Sequence, residues 1–381
     1  MPRVDVVYHQ FPHYRAPVLR ELATSGRYAY RFWGSHAPFL GIEPFRGDDV
    51  VTVRPLRVTA KGVRWVLKDY APLLLDRSSD AIIILGNPNM AASWMLALAG
   101  RLTGRKVLFW THGWLRPEGW LKRRMRNIYY RLAHRVLVYG ERAKTIGEAA
   151  GFRPDNIKVV YNSVDFDAAQ AACRTFEAGI CEDALRPQSA FAVPGRPLLI
   201  CTARLTAACR FDLLFEAAGI LARRQQPVNI LLIGDGPERP LLEALARDLG
   251  IDVRFHGACH DEAMLATMIY HADVTVSPGK VGLTAIHSLG YGTPVITHGD
   301  LDAQMPEVEA IRPGVTGAFS ERGNAGALAT AITGWLSNGR PRAEIRVACR
   351  ASIADSWTPR SQRKCIEDAL DGLLAPGGEL P

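Results

Sequence analysis

Short apolar runs and amphipathic stretches take turns along this chain from end to end. In the first half, Val4–Tyr8, Ala81–Leu85, Val107–Trp110 and Val136–Tyr139 are nearly unbroken in aliphatic and aromatic residues, the pattern of strands covered on both faces. Apolar residues recur at helical spacing between them, at about Pro17–Ser25, Met90–Thr103, Trp120–Ala133 and Arg142–Ala150. The second half restarts the scheme, with strands expected at Pro197–Thr202, Asn229–Ile233, Val253–His256, Val274–Ser277 and Thr293–Thr297. Its helices are expected at Phe211–Arg223, Arg239–Leu249, Glu262–Ala272 and Leu283–Tyr291. Strands that alternate with helices in this way build parallel sheets with helices on both faces. Residues 165–197 hold small residues, charges and prolines without an apolar strand and read as a connector with room for one helix; about 325–375 is a helical tail. The expected boundaries are therefore 1–165, a connector at 166–196, a second domain at 197–345 and C-terminal helices at 346–381. A ligand of such a molecule is expected between its domains, at the carboxyl ends of strands.

Composition narrows this picture. A chain of 381 residues with 48% hydrophobic content suits two ordinary domains with real cores. No apolar run reaches the roughly 18–20 residues of a membrane span, and the first residues read as a strand and not as a secretory signal. Cys173, Cys181, Cys201, Cys209, Cys259, Cys349 and Cys365 are odd in number and form no CxxC pair, so free thiols in a reducing cytoplasm are expected. The net charge of +8 suits phosphorylated ligands or anionic lipid. Nucleic acid is disfavoured, because there is no zinc finger, no RNP signature and no interleaving of aromatic with basic residues.

Candidate chemistry sits at the ends of the expected strands. Ser277–Thr297 reads as strand end, glycine loop, short helix, glycine stop and second strand, which leaves a helix N-terminus at the strand ends where anions bind. Asn229–Pro237 ends a strand in Gly234-Asp235-Gly236, either a close approach of backbone to ligand or an ordinary tight turn. Arg204 follows the strand ending at Thr202, and Arg210 lies near enough to return to the same anion; guanidinium groups there can fork onto a diphosphate. His112, in Thr111-His112-Gly113-Trp114, closes a strand of the first half, and its imidazole can hold a sugar hydroxyl or a departing phosphate. Leu121, Met125, Ile128 and Leu132 form one stripe of a helix with Lys122, Arg123 and Arg126 on the other side. That face is either solvated or lies on anionic head groups, with Trp114 and Trp120 favouring membrane contact.

Taken in order, Val138-Tyr139-Gly140, Val159–Asp165, Ala203-Arg204-Leu205, Gly234–Pro237, Val253–Gly257, Ser277–Thr297, Pro306-Glu307 and Gly314–Gly317 resemble the retaining glycosyltransferases of family 4, over about 107–320. The resemblance implies the GT-B fold: two Rossmann-like, doubly wound parallel-sheet α/β domains facing across a cleft, with a helical C-terminal tail that crosses back near Trp357. It implies an acceptor-binding first domain and a second domain that binds a nucleotide-diphospho sugar. Carried over by position, Arg204 binds the donor diphosphate, His112 touches the donor sugar or leaving phosphate, and the backbone at Gly282, Leu283 and Thr284 holds phosphate oxygens. Gly234, Gly236 and Gly257 complete the donor side. The family's usual Lys falls at Cys209, where Arg210 supplies the charge instead. Its two usual Glu residues fall at Gly279 and His287, so the chain is atypical there; His287 can still hold a ribose with one donor and one acceptor. In place of a glycine-rich first loop stand His9, His13 and Arg15, which, with Trp114, are assigned to the acceptor side or the diphosphate. No cofactor and no metal are expected, since the cations can do a metal's work.

The function implied is transfer of a sugar, with retention, from a nucleotide sugar to a glycan acceptor, often lipid-linked, in surface polysaccharide or related glycan synthesis. The expected place is the cytoplasm, at the inner face of the membrane. Two alternatives stand beside it: an inactive GT-B subunit that binds a nucleotide sugar or a partner enzyme, and a nucleotide-sugar epimerase.

Overall fold

The computed structural model describes residues 1–39, 41–61, 64–179 and 186–374. The chain divides into two compact units, Met1–Val164 with Thr358–Pro381, and Asp165–Trp357.

The strands of the first unit are β1 (Arg3–Val7), β2 (Ala29–Gly34), β3 (Val53–Pro55), β4 (Arg57–Lys61), β5 (Arg64–Lys68), β6 (Ala81–Leu85), β7 (Lys106–Thr111), β8 (Arg135–Val138) and β9 (Ile157–Val159). Seven of them form a parallel sheet in the order β3-β2-β1-β6-β7-β8-β9, and β4 and β5 pair as an antiparallel hairpin. Side chains alternate across the pleat. Val4, Val6, Ala81 and Ile83 therefore join Leu19 and Leu22 on one face, while Val7, Ile82 and Ile84 join Leu96 and Tyr129 on the other. Strand β2, between β3 and β1, escapes the apolar pattern because Arg31 lies within it. Arg31 is bonded through two nitrogens to the buried Asp5 of β1 at 2.8 Å each, so a charged pair holds the strand there.

The second unit has β10 (Leu198–Thr202), β11 (Asn229–Ile233), β12 (Asp252–Gly257), β13 (Val274–Ser277), β14 (Val295–His298) and β15 (Gly317–Ser320). They make a parallel sheet in the order β12-β11-β10-β13-β14-β15.

Two segments differ from the expected division. Residues 166–177 form a helix, Phe166–Glu177, capped by the Asp165 carboxylate, which accepts from the Ala168 N–H at 3.1 Å. Its Ala169 and Cys173 sit in one cluster with Ile269, Tyr270 and Tyr291, so apolar burial makes it part of the second unit. The rest of the expected connector includes 180–185, and with them Cys181, which lie outside the described residues. At the other end, Arg342–Ala354 also belongs to the second unit, where its Ile345, Cys349 and Ile353 are buried beside the helix Leu283–Gly290. The chain passes to the first unit only between Trp357 and Thr358. Pro359–Leu374 then lies on that unit as a helix whose Ile366, Leu370 and Leu373 complete its core.

Candidate active site

In a doubly wound sheet the ligand crevice opens where the strand order reverses. In the second unit that point falls between β10 and β13, and the loops that follow these strands carry Arg204 and Gly279–Thr284. Arg204 is exposed, and its side chain has no partner among the described residues. Its loop is fixed by backbone bonds on both sides, Ala203 N–H to Ile233 O and Leu205 N–H to Asp235 O, each 3.0 Å. The glycines of the neighbouring turn make this possible. A β-carbon on Gly234 would lie 2.0 Å from Ala203 O, and one on Gly236 would lie 2.2 Å from Leu205 O. Both glycines therefore admit the Arg204 loop's own backbone. Gly257, with φ of 87°, is in the left-handed region, and its carbonyl accepts from the Gly234 N–H at 2.7 Å.

Arg210 has a partner already. It occupies the left-handed region at the start of Phe211–Arg223, and its guanidinium forks onto Asp212 at 2.8–3.0 Å. The thiol of Cys209 donates back to the Arg204 carbonyl at 3.2 Å.

Gly279 lies against the same turn. Its N–H donates to Cys209 O at 3.0 Å, and a β-carbon there would meet Ala208 O at 2.2 Å. The backbone of the Ala207–Cys209 turn thus fills the space that a side chain at 279 would need. Beyond it, Gly282 starts the helix Leu283–Gly290, which has no side-chain cap. Thr284 donates its hydroxyl to Thr202 O at 2.6 Å, which ties the helix start to the end of β10. Gln304, which sequence reasoning did not single out, is buried and rivets this loop. It accepts from the Val281 N–H at 2.7 Å and donates to Thr297 Oγ1 and His298 O at 2.9 Å each. His287 Nε2 contacts Glu262 Oε1 at 2.7 Å, and Tyr291 donates its hydroxyl to the same oxygen at 2.5 Å. Glu262, from a different helix, therefore brings a carboxylate to the side of His287. No local sequence signal marks that contact, since 25 residues separate the partners.

In the first unit the strand order reverses between β1 and β6. Tyr8 follows β1, Trp110 and His112 end β7, and Tyr139 follows β8. Arg15 reaches into this group from the start of the helix Ala16–Ala23, with its Cζ 5.1, 4.8 and 5.5 Å from the ring centroids of Tyr8, Trp110 and Tyr139. It donates to the Tyr8 hydroxyl at 3.3 Å and to the Tyr139 hydroxyl. His112 is exposed, edge-on to Tyr139 at 5.0 Å. Burial first, and then the Arg15 charge, lowers the His9 imidazole to about 4, so it is neutral near pH 7. His13 is exposed in a short 3-10 turn, and its N–H donates to Glu43 O at 3.1 Å. The assignment of Trp114 to the acceptor side is corrected. Trp114 is 3% exposed, donates to Asn127 Oδ1 at 3.1 Å and packs on Tyr130 and Phe152, so it is a core residue. Among the described residues no group of three or more His, Cys, Asp or Glu side chains is placed to hold a metal ion.

Two doubly wound parallel-sheet units, each with polar loops at its switch point, define the GT-B class of architecture. Residues 6–168 match the family model described as Glycosyltransferase Family 4, and residues 196–338 the one described as Glycosyl transferases group 1. By these two matches the chain is a GT-B glycosyltransferase-like protein, similar to Family 4 in its first half and to group 1 in its second. A curated relative, the GDP-mannose-dependent alpha-(1-6)-phosphatidylinositol monomannoside mannosyltransferase of Mycolicibacterium smegmatis, is 26% identical over 201 residues, 49% of this chain and 51% of that protein. The chain thus spans about half the length of that relative. Among solved structures, HepE from Anabaena in complex with UDP superposes with a TM-score of 0.72 at 18% identity, covering 98% of this chain and 100% of that one. Sucrose-phosphate synthase from Thermosynechococcus elongatus gives 0.70 at 15% identity, covering 98% and 100%.

Proposed function

We propose that this protein is a retaining glycosyltransferase that moves a sugar from a nucleotide-diphospho sugar to a lipid-linked glycan acceptor, in the synthesis of a surface polysaccharide or related glycan. The observation that carries this reading is Arg204. It is an exposed guanidinium with no partner among the described residues, on a loop at the switch point of the second unit that is fixed by backbone bonds, and the helix after β13 starts without a side-chain cap. Such a group offsets the charge that develops on a departing diphosphate, an effect typically worth about 3 kcal/mol or more for one well-placed donor. The M. smegmatis relative, named for a GDP-mannose donor and a phosphatidylinositol mannoside acceptor, supports the donor and acceptor classes. Attack on the same face as the leaving diphosphate needs no carboxylate nucleophile, so Gly279 and His287 do not stand against it.

A peripheral position on an anionic membrane fits this acceptor. The helix Trp120–Tyr130 buries Tyr129 and Tyr130 and leaves Trp120, Leu121, Met125 and Ile128 exposed. A groove of about 490 Å³ beside them is lined by Arg123, Arg124 and Arg131. Lys122 and Arg126 share the single Glu118 carboxylate. Among the described residues no helix is long and apolar enough to cross a membrane.

The test is turnover of a nucleotide-sugar panel by the purified chain, read by mass spectrometry. Product is expected to form at an unchanged rate with chelator present, and Arg204→Ala is expected to lower the rate by about two orders of magnitude. An Arg204→Ala chain of full activity removes Arg204 from the mechanism. The rival reading is a binding subunit without turnover. It draws on the Asp212 partner of Arg210 and on the turn that fills the space at Gly279. Nucleotide-sugar binding with neither transfer nor hydrolysis would decide for it.

A further inference from the structure

Arg15 is a guanidinium enclosed by three aromatic rings with no carboxylate to balance it. Its hydrogen bonds go to the hydroxyls of Tyr8 and Tyr139, and it forms no ion pair among the described residues. Asp5, the acid of β1, is bound to Arg31 and to the Trp33 indole. Burial raises Tyr8 well above the usual phenol range, so that ring stays neutral and supplies no counter-charge. Withdrawing a charge from water without a counter-charge is costly, and such charges in proteins are ordinarily paired.

The cage holds further uncommitted donors. Two of the guanidinium's bonds go to the tyrosines, while the group has five N–H donors in a planar fork. The indole of Trp110, 4.8 Å from the guanidinium carbon, is buried, and its Nε1 has no hydrogen-bond partner among the described residues. Arg15 also caps the N-terminus of Ala16–Ala23, where the helix adds positive potential. Tyr8 follows β1, Trp110 lies near the end of β7 and Tyr139 follows β8, so the cage lies at the carboxyl ends of these strands.

We propose that the Arg15 cage is a receptor for an oxyanion, phosphate or carboxylate, carried by the acceptor. Tyr8, Trp110 and Tyr139 hold the guanidinium in one orientation, so its open N–H edge meets the anion already aligned. The assignment to the acceptor rests on the transferase reading above, whereas the presence of an oxyanion receptor does not.

The test is calorimetric titration of the full chain with dodecyl phosphate, neutral dodecyl maltoside, UDP and GDP. The intact chain is expected to prefer dodecyl phosphate to dodecyl maltoside. Arg15→Met is expected to weaken dodecyl phosphate about tenfold or more, the scale of a charged hydrogen bond, and to leave UDP and GDP unchanged. Equal affinity of the two chains for dodecyl phosphate overturns the receptor. A loss confined to UDP and GDP transfers the oxyanion to the donor and overturns the acceptor assignment. If Arg15→Met fails to fold, Arg15→Lys carries the same comparison, since it keeps the charge and loses the fork; a loss of several-fold is then expected, and none overturns the receptor. A chain that transfers no sugar yet shows the Arg15-dependent preference removes the transferase reading and leaves the receptor standing.

Discussion

The resemblance read from the sequence puts Gly279 and Cys209 where a Glu and a Lys are expected, and along the sequence they read as two separate losses. The structure joins them. Gly279 N–H is bonded to Cys209 O at 3.0 Å, and the Ala208 carbonyl lies 2.2 Å from where a β-carbon at 279 would sit. Position 279 cannot carry a side chain without the turn moving, because backbone, and not a flexible side chain, fills the space. Gly279→Ala is therefore expected to cost about 1–3 kcal/mol or more, as overpacking does, and to lower the thermal midpoint of the second unit. An unchanged midpoint would show that the turn relaxes at no cost. The missing carboxylate was legible in the sequence, but Glu262 beside His287 was not. A contact between helices distant along the chain leaves no mark in local spacing. Arg204, at a strand end with a glycine turn next to it, was legible for the opposite reason.

Among the elements, apolar runs such as Ala81–Leu85 and Asn229–Ile233, the latter opened by a buried Asn229 bonded to Val193 O, have the same limits in sequence and structure, since a strand buried on both faces is nearly all apolar. The periodic helix at Trp120–Tyr130 was equally visible, but not which way it faces. Periodicity reports a stripe and is silent on what holds the helix. Here Arg126 forks onto Glu118 at 2.7 Å and reaches Gly113 O at 3.1 Å, so Arg126 turns inward with Tyr129 and Tyr130, while Leu121, Met125 and Ile128 turn outward along with Lys122, Arg123 and Arg124. The helix Pro359–Leu374 shows the other limit. Its sequence reads as a tail, yet Gln362 accepts from Ser163 Oγ at 2.8 Å and donates to Tyr161 O, and Arg135 donates to Ala369 O at 2.8 Å. Gly372 leaves room for that arginine, whose Nη2 would be 2.4 Å from a β-carbon. Because Leu370 is wholly buried against the first unit's core, Leu370→Ala is expected to destabilise that unit by about 2–5 kcal/mol. Denaturant unfolding followed in that unit measures it, and a cost below about 1 kcal/mol would mean that the helix is only loosely held.

For the molecule as a whole, a net charge of +8 is a weak statement until it is placed. Many of its cations are bound internally, as Arg31, Arg126 and Arg210 are to Asp5, Glu118 and Asp212. Arg123 and Arg124 make no ion pair among the described residues, and they lie beside the exposed Trp120, Leu121, Met125 and Ile128, which are 65, 62, 50 and 45% accessible. Apolar side chains flanked by uncompensated arginines are what an interfacial helix needs, since the first insert below the head groups and the second meet their phosphates. The two contributions separate experimentally, because salt screens charges beyond about 10 Å at 0.1 M and leaves apolar burial intact. Sedimentation with vesicles of mixed phosphatidylcholine and phosphatidylglycerol is expected to carry the chain down, and to do so less as salt rises. Arg123→Gln with Arg124→Gln is expected to weaken binding by about 1 kcal/mol per charge and to flatten the salt dependence. Leu121→Ser with Met125→Ser and Ile128→Ser is expected to weaken binding strongly even at low salt, while the salt slope of what remains is preserved. Equal binding to neutral and anionic vesicles, or a serine variant that binds as the intact chain does, would remove this face from the membrane and leave the acceptor to be met in solution.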